Sequence, residues 1–420
     1  MLNKILNALK ENNIDLYLIN EETQSTSEMF FIKKNLDMRR MKDVTKYEVT
    51  VYTDFTKDEN KMRGFAICNI TPDMTDEELS KKLSDTLHAA SFACNPYFEL
   101  PKPSSVKPNV DFPSSYSTEE GLKIMSEALF AEDTEKDCFI NSAELFVKNF
   151  KYHIISSEGI DVSYSKQDIE GEFVTQCTIQ EDVETYQDFY YDSLNPDALR
   201  QKVKRSIELT KARSKASRCN LNGNFKVILS GQYASDLLRF YVDRAAASMI
   251  YPKYSDFKLD KQVQSEQITG DSLNITLKAD VPYSKEGIPM TDRTLLENGV
   301  LKCIHGASRF CYYLNTEPTG IYNNINVTPG IKSLKDMETG TYLHIVNFSD
   351  FQMDAMTGRF GGEFRLAFYS DGKNVIPITG GSISGSILEL GGTIKLSSET
   401  QTLKGYKGPL AIEIQNVNIG

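Results

Sequence analysis

The chain has 420 residues, more than one typical core accommodates, so two or more domains are expected. Its formal net charge of −11 and pI near 5.1 exclude a general nucleic-acid or anionic-membrane binder, because phosphate contacts need clustered Lys and Arg. No apolar run approaches the roughly eighteen residues a membrane-spanning helix needs, and the charged, amphipathic N-terminus lacks a signal peptide's apolar centre, so the cytoplasm is the expected location.

Leu2, Ile5, Leu6 and Leu9 share one face of a helix over residues 2–13. Residues 15–20 read as a strand, and the segment through about residue 45 alternates only weakly. Residues 47–52 and 63–68 are rich in β-branched and aromatic side chains and read as strands. Thr75-Asp76-Glu77-Glu78 is a capping box, and Leu79, Leu83, Leu87 and Ala90 continue a helix. This much describes a small α+β layer ending near residue 96.

Pro96, Pro101, Pro103, Pro108 and Pro113 mark residues 96–116 as a linker or an extended surface crossing. Ser117 caps a helix to about residue 131, and strands follow over 139–149, 151–157, 160–166 and 171–181. Ser157-Glu158-Gly159 supplies a turn in this antiparallel meander. Asn195-Pro196-Asp197 opens a helix to about residue 215 that carries Arg200, Lys202, Lys204, Arg205, Lys211 and Arg213. No aromatic residues interleave for base stacking, so a solvated helix face is the plainer reading.

Residues 222–420 are strand-rich and glycine-rich. Asn298-Gly299 and Asp371-Gly372 each join two strand-like runs as hairpin turns, and residues 410–417 alternate like a closing strand. The run Val227-Ile228-Leu229-Ser230-Gly231 is a short strand that turns into a helix. Ala234, Leu237, Leu238, Tyr241, Ala245 and Met249 form that helix's apolar face, with Arg239, Asp243 and Arg244 as its charges. The fold class is α+β: an N-terminal α+β region over 1–215, then a C-terminal domain over 222–420 dominated by a large antiparallel sheet.

The seven cysteines are scattered, odd in number and without a Cys-x-x-Cys pair, which points to reduced thiols. The four histidines, His88, His153, His305 and His344, are far apart, which weighs against a histidine-rich metal site. Cys303, His305 and Cys311 are close enough in sequence to be weighed as metal ligands against incidental hairpin residues. His344, between Leu343 and Ile345, reads as a surface or core residue, and His88 and His153 have no evident partner.

Several stretches together resemble the TldD/PmbA (TldE) family, also called modulators of DNA gyrase. Glu286-Gly287-Ile288-Pro289 followed by Leu296-Glu297-Asn298-Gly299-Val300-Leu301 is similar to one family signature. Asn324-Ile325-Asn326-Val327-Thr328-Pro329-Gly330, Thr357-Gly358-Arg359-Phe360-Gly361 and Gly380-Gly381-Ser382-Ile383-Ser384-Gly385 are similar to others, in the family's order. The resemblance covers most of residues 140–420. It implies a TldD-type zinc peptidase scaffold whose His-Glu-x-x-x-His helix follows a strand, with a later cysteine ligand near the C-terminus.

On that helix, Arg239 and Arg244 stand at the two histidine positions and Phe240 at the glutamate. Arginine has no lone pair for zinc, and phenylalanine cannot take a proton from water. Residues 403–409 contain no cysteine. The positions are degenerate, so no catalytic residue, metal ligand or cofactor is assigned to this chain, and zinc is expected only in an active partner. The helix itself is expected to be straight, with Arg239 beside Asp236 and Asp243.

The function this implies is a PmbA/TldE-like subunit of a TldD-type metallopeptidase that degrades unfolded peptides, its partner a TldD-like chain or a second copy of itself. The alternatives are a homodimeric peptide-binding protein without cleavage, and a metallopeptidase with unorthodox ligands. A nucleic-acid or membrane partner is not expected.

Overall fold

The computed structural model describes residues 1–108 and 116–420. In its first part the chain forms α1 (Leu2–Glu11), β1 (Leu16–Ile32), β2 (Asn35–Lys57), β3 (Asn60–Ile70), α2 (Asp76–Phe92) and α3 (Thr118–Phe130). Then come β4 (Cys138–Ser156), β5 (Asp161–Cys177), β6 (Val183–Tyr191) and α4 (Pro196–Ser214). The strands make one antiparallel sheet in the order β3-β2-β1-β4-β5-β6.

All four helices cover one face of this sheet. Ile5, Leu9, Leu79 and Leu83 pack on Ile19, Val49 and Val51, while Leu122, Met125, Leu199 and Val203 pack on Leu145, Val147 and Ile169. The small layer expected to end near residue 96 is therefore only half of a sheet. Ile19 on β1 pairs with Val49 on β2 and with Ile155 on β4, so strands before and after the proline-rich stretch share one ladder. Of the stretch 96–116, residues 109–115 lie outside the described residues. Its first part is a surface crossing: Phe98 is buried, and the Pro96 carbonyl accepts from the Tyr313 hydroxyl at 2.6 Å.

Other sequence expectations shift in extent. The weakly alternating segment to residue 45 belongs to β1 and β2. Four of the predicted meander strands merge into β4 and β5, joined at Ser157-Glu158-Gly159, and β6 escaped notice.

The remaining residues form β7 (Ser217–Arg218), β8 (Gly223–Ser230), α5 (Gln232–Arg244), α6 (Ala247–Ile250), β9 (Ile275–Lys278), β10 (Arg293–Glu297) and β11 (Val300–Leu301). Next are α7 (Ser308–Tyr313), β12 (Asn324–Val327), α8 (Leu334–Met337), β13 (Thr341–Met353), β14 (Arg359–Asp371), β15 (Val375–Thr379) and β16 (Gly381–Ser386). The chain closes with α9 (Ile387–Leu390), β17 (Lys395–Leu396), β18 (Thr400–Leu403), β19 (Tyr406–Pro409) and β20 (Ala411–Ile419).

The class is α+β, with the C-terminal strands in two sheets of mostly antiparallel pairs. One runs β11-β10-β9-β12-β19-β18, and the other β13-β8-β20-β16-β14-β15-β7, with β17 on β20. Three neighbour pairs, β8–β13, β12–β19 and β7–β15, are parallel. Ile275, Leu277 and Ile325 of one sheet and Val227, Leu343 and Ile414 of the other share a single core with α5. The Asn298-Gly299 turn has φ of 52° and 78°, the left-handed pair a two-residue hairpin requires.

Candidate functional site

The strand β8 ends at Ser230, and Gly231 takes φ 67° and ψ −137°, a conformation open to glycine at little cost, before α5 begins. Burial on α5 is wider than its apolar pattern implied. Ala234, Leu237, Leu238, Tyr241 and Ala245 are buried as expected, and so are Phe240, Val242 and Arg244. What is left is a narrow polar stripe of Gln232, Asp236, Arg239 and Asp243, whose spacing of four, three and four keeps one helix face.

The helix is regular from Gln232 to Arg244, as expected. Positions five apart on such a helix diverge by about 140°, and the two arginines do point to different places. Arg239 donates to the Asn323 carbonyl. It makes no direct ion pair with Asp236 or Asp243, which corrects the expected pairing: the carbonyl lies within the guanidinium's reach, and the carboxylates feel its charge only at longer range.

Arg244 is buried. Its Nη1 donates to the carbonyls of Ala355 and Met356 at 3.2 and 3.0 Å, and its Nη2 to Asp256. Its guanidinium also lies 5.5 and 5.1 Å from the ring centroids of Phe240 and Phe257. Phe240 is fully buried against Tyr241 and Phe257. Phe240 and Arg244 thus serve packing and tethering.

Residues 403–409, where the family resemblance places a cysteine ligand, run from the end of β18 through the Lys404-Gly405 turn into β19, and this turn does meet α5. A Cβ on Gly405 would come within 2.5 Å of Arg239 Nη2. The helix and turn that the resemblance associates with a metal are in contact, and they carry Arg239, Phe240 and Gly405.

The polar stripe faces the N-terminal sheet. Asp236 is pushed up to about 6, chiefly by burial; Arg239 pulls it down and Asp188 on β6 pushes it further up. Asp243 is raised by the protein crowded around it, although its side chain still reaches solvent. Nearby, Lys404 Nζ lies 4.7 Å from the Tyr190 ring centroid, and the charge of Asp280 acts on Tyr164 and Tyr190. Tyr164 stacks on Tyr152 at 4.8 Å. The face of the N-terminal sheet without helices is thus an aromatic, carboxylate-rich wall opposite α5. Asp188 and Tyr190 were missed in the sequence, where the tyrosines recurring through Val183–Tyr191 were the available signal.

The other sequence candidates separate in space. His305 is buried with Nε2 2.9 Å from the Val242 carbonyl, and burial lowers its basicity. Cys303 is directed to the Ile304 carbonyl, and among the described residues no group of three His, Cys, Asp or Glu is placed to hold a metal. His153, expected to stand alone, has Asp161 at 2.7 Å and Glu21 at 3.5 Å. The basic residues of α4 are largely engaged: Arg200 with Asp197, Arg205 with Glu208, Lys211 with Glu135 and Arg213 with the Glu184 carbonyl. Among the described residues no helix is long and apolar enough to cross a membrane.

Residues 222–420 match the family model described as the PmbA/TldA metallopeptidase C-terminal domain. No curated protein matches the sequence. The whole chain shares its fold with TldE from Thermococcus kodakarensis, at 17% identity and a TM-score of 0.77, covering 99% of this chain and 100% of that one. It is equally similar to a protein from Thermotoga maritima assigned as a modulator of a DNA gyrase, at 16% identity and a TM-score of 0.78, covering 100% and 99%. A Bacteroides thetaiotaomicron protein assigned to the same role has 14% identity and a TM-score of 0.76, covering 100% and 98%.

Proposed function

Residues 222–420 match the PmbA/TldA metallopeptidase C-terminal domain and the whole chain has the TldE fold; from that premise we propose that it is a non-catalytic subunit of a TldD-type metallopeptidase acting on unfolded peptides. The observation that carries this reading is the state of α5. The scaffold keeps the helix and the β18–β19 turn in contact, while Arg239, Phe240 and Arg244 stand where ligands and base would be. Two guanidinium groups repel a divalent cation and offer no lone pair. Arg244 is also committed to three carbonyls and Asp256, so it is not free to move aside.

In this reading the chain completes a partner's peptide chamber with the aromatic wall of Tyr152, Tyr164 and Tyr190. Zinc and the catalytic base come from the partner, and both chains act in the cytoplasm. The experiment is co-expression with a TldD-like chain that carries an intact His-Glu-x-x-x-His helix. The expected result is a co-purifying complex that degrades an unfolded protein substrate such as casein. Separate elution, with the partner fully active alone, would sink the reading.

One observation favours a second reading, a homodimer that holds peptides without cutting them. β3 pairs with β2 only from Tyr47 onward, so among the described residues the outer edge of residues 35–46 is unpaired, with Leu36, Met38 and Met41 exposed along it. Such an edge accepts an extended peptide through main-chain hydrogen bonds. Peptide capture by a dimer that gains no peptidase activity from any partner would favour it.

A further inference from the structure

The face of the eight-stranded sheet turned away from α5 carries a chain of three hydrogen-bonded side chains. Glu338 Oε1 lies 2.7 Å from His344 Nδ1, and His344 Nε2 lies 2.9 Å from Ser230 Oγ. They come from three separate places: the end of β8, the first half of β13, and the residue after α8. His344 is 3% exposed, and its register partner Ile228 belongs to a small apolar cluster with Met337, Tyr342 and Ala411.

Donor and acceptor roles follow from the chemistry. An ionised carboxylate only accepts, so in its neutral form the His344 imidazole donates from Nδ1 and presents the Nε2 lone pair to Ser230. The Ser230 hydroxyl then donates its proton to that lone pair. A hydroxyl on an imidazole, with the imidazole oriented by a third group, is the arrangement that activates a serine nucleophile.

The local backbone leaves Ser230 approachable. It is only partly buried, and it sits where a strand passes into a helix. A Cβ built on the next residue, Gly231, would meet no atom within 4 Å. The Gly231 N–H is already bonded to the Leu410 carbonyl at 3.0 Å.

We propose that Ser230 is a base-activated nucleophile in an acyl-transfer site separate from the polar stripe of α5, with His344 as general base and Glu338 as positioning residue. The substrate class is an acyl ester. Ser230 Oγ forms a bond to the acyl carbon as its proton passes to His344 Nε2. The carbon–oxygen bond to the alcohol then breaks, and the alcohol leaves with that proton. Water, deprotonated by the same imidazole, hydrolyses the acyl-serine and restores the hydroxyl. The inference does not depend on the subunit reading above.

The test uses the intact chain. Phenylmethylsulfonyl fluoride is added and the adduct is mapped by peptide mass spectrometry. Ser230 Oγ displaces fluoride from sulfur, and its proton leaves through His344. The expected result is a preferential adduct on Ser230, with H344Q slowing labelling by about 100-fold, the scale of general-base assistance. E338Q slows it less, and E338D restores part of the loss. A wild-type chain without a Ser230 adduct would overturn the proposal. So would unchanged labelling in an H344Q variant that keeps the wild-type melting temperature. Should the variants not fold, the wild type decides alone: p-nitrophenyl acetate gives a stoichiometric p-nitrophenol burst that prior sulfonylation abolishes, and an unaffected burst, or none, overturns the assignment.

Discussion

Arg239 and Arg244 differ in ways that composition and spacing do not convey. Arg244 is buried and holds three carbonyls, Asp256 and two aromatic rings, whereas Arg239 is half-exposed with one carbonyl partner. Hydrogen bonds to a charged group contribute about 1.5–3 kcal/mol. R244A is therefore expected to cost about 2–3 kcal/mol in chemical denaturation, and R239A less than about 1 kcal/mol. Equal losses would refute the division of roles.

Asp236 makes a pH prediction. Its folded pKa of about 6 stands above the ordinary 3.8, so the native state holds the proton more tightly. Its contribution to stability is fullest below 3.8 and is lost as pH rises through about 6. D236N removes that slope. Melting temperatures measured from pH 4 to 7.5 should find the variant gaining on the wild type as pH rises; a constant difference would contradict the argument.

At the scale of elements, most of α5 was legible in its sequence. The periodicity of Ala234, Leu237, Leu238 and Tyr241 fixed the buried face, and the absence of ligands agreed with a regular helix. The breadth of its burial was not legible, because Phe240 and Arg244 are buried by residues 254–257 and 355–356, which meet α5 only in the folded chain. Asn298-Gly299 announced its hairpin because only left-handed backbone closes a two-residue turn. The long strands β1 and β2 were hidden for the opposite reason: residues 33–43 are exposed, so no alternation of apolar and polar side chains marked them. The partners of His344, 6 and 114 residues away, carried no local signal.

The regular helix also bears on attempts to rebuild a metal site. The triple variant R239H/F240E/R244H restores the side chains but not their convergence, since positions five apart diverge by about 140°, and Gly405 still supplies no third ligand. It is expected to bind no stoichiometric zinc in a calorimetric titration. Tight one-to-one binding would mean that α5 distorts readily.

The whole molecule shares its fold with TldE, and among the described residues its strands form three sheets, with α5 and the β18–β19 turn in contact. Its two parts meet where Lys404 lies over Tyr190 and where Gly287 at φ 74° brings its backbone against Ile160. The expected boundary between residues 215 and 222 rests on composition, glycine turns and family resemblance. The single N-terminal sheet could not be read from these, because its β1–β4 pairing joins residues more than a hundred positions apart in the chain. The proposed subunit role has this scaffold work with chemistry supplied by another chain. Native mass spectrometry of the chain, purified alone and after co-expression with a TldD-like metallopeptidase chain, tests this. No zinc is expected on the chain alone, and a zinc-bearing hetero-complex when the partner is present; one zinc on each copy of the chain alone would overturn the role.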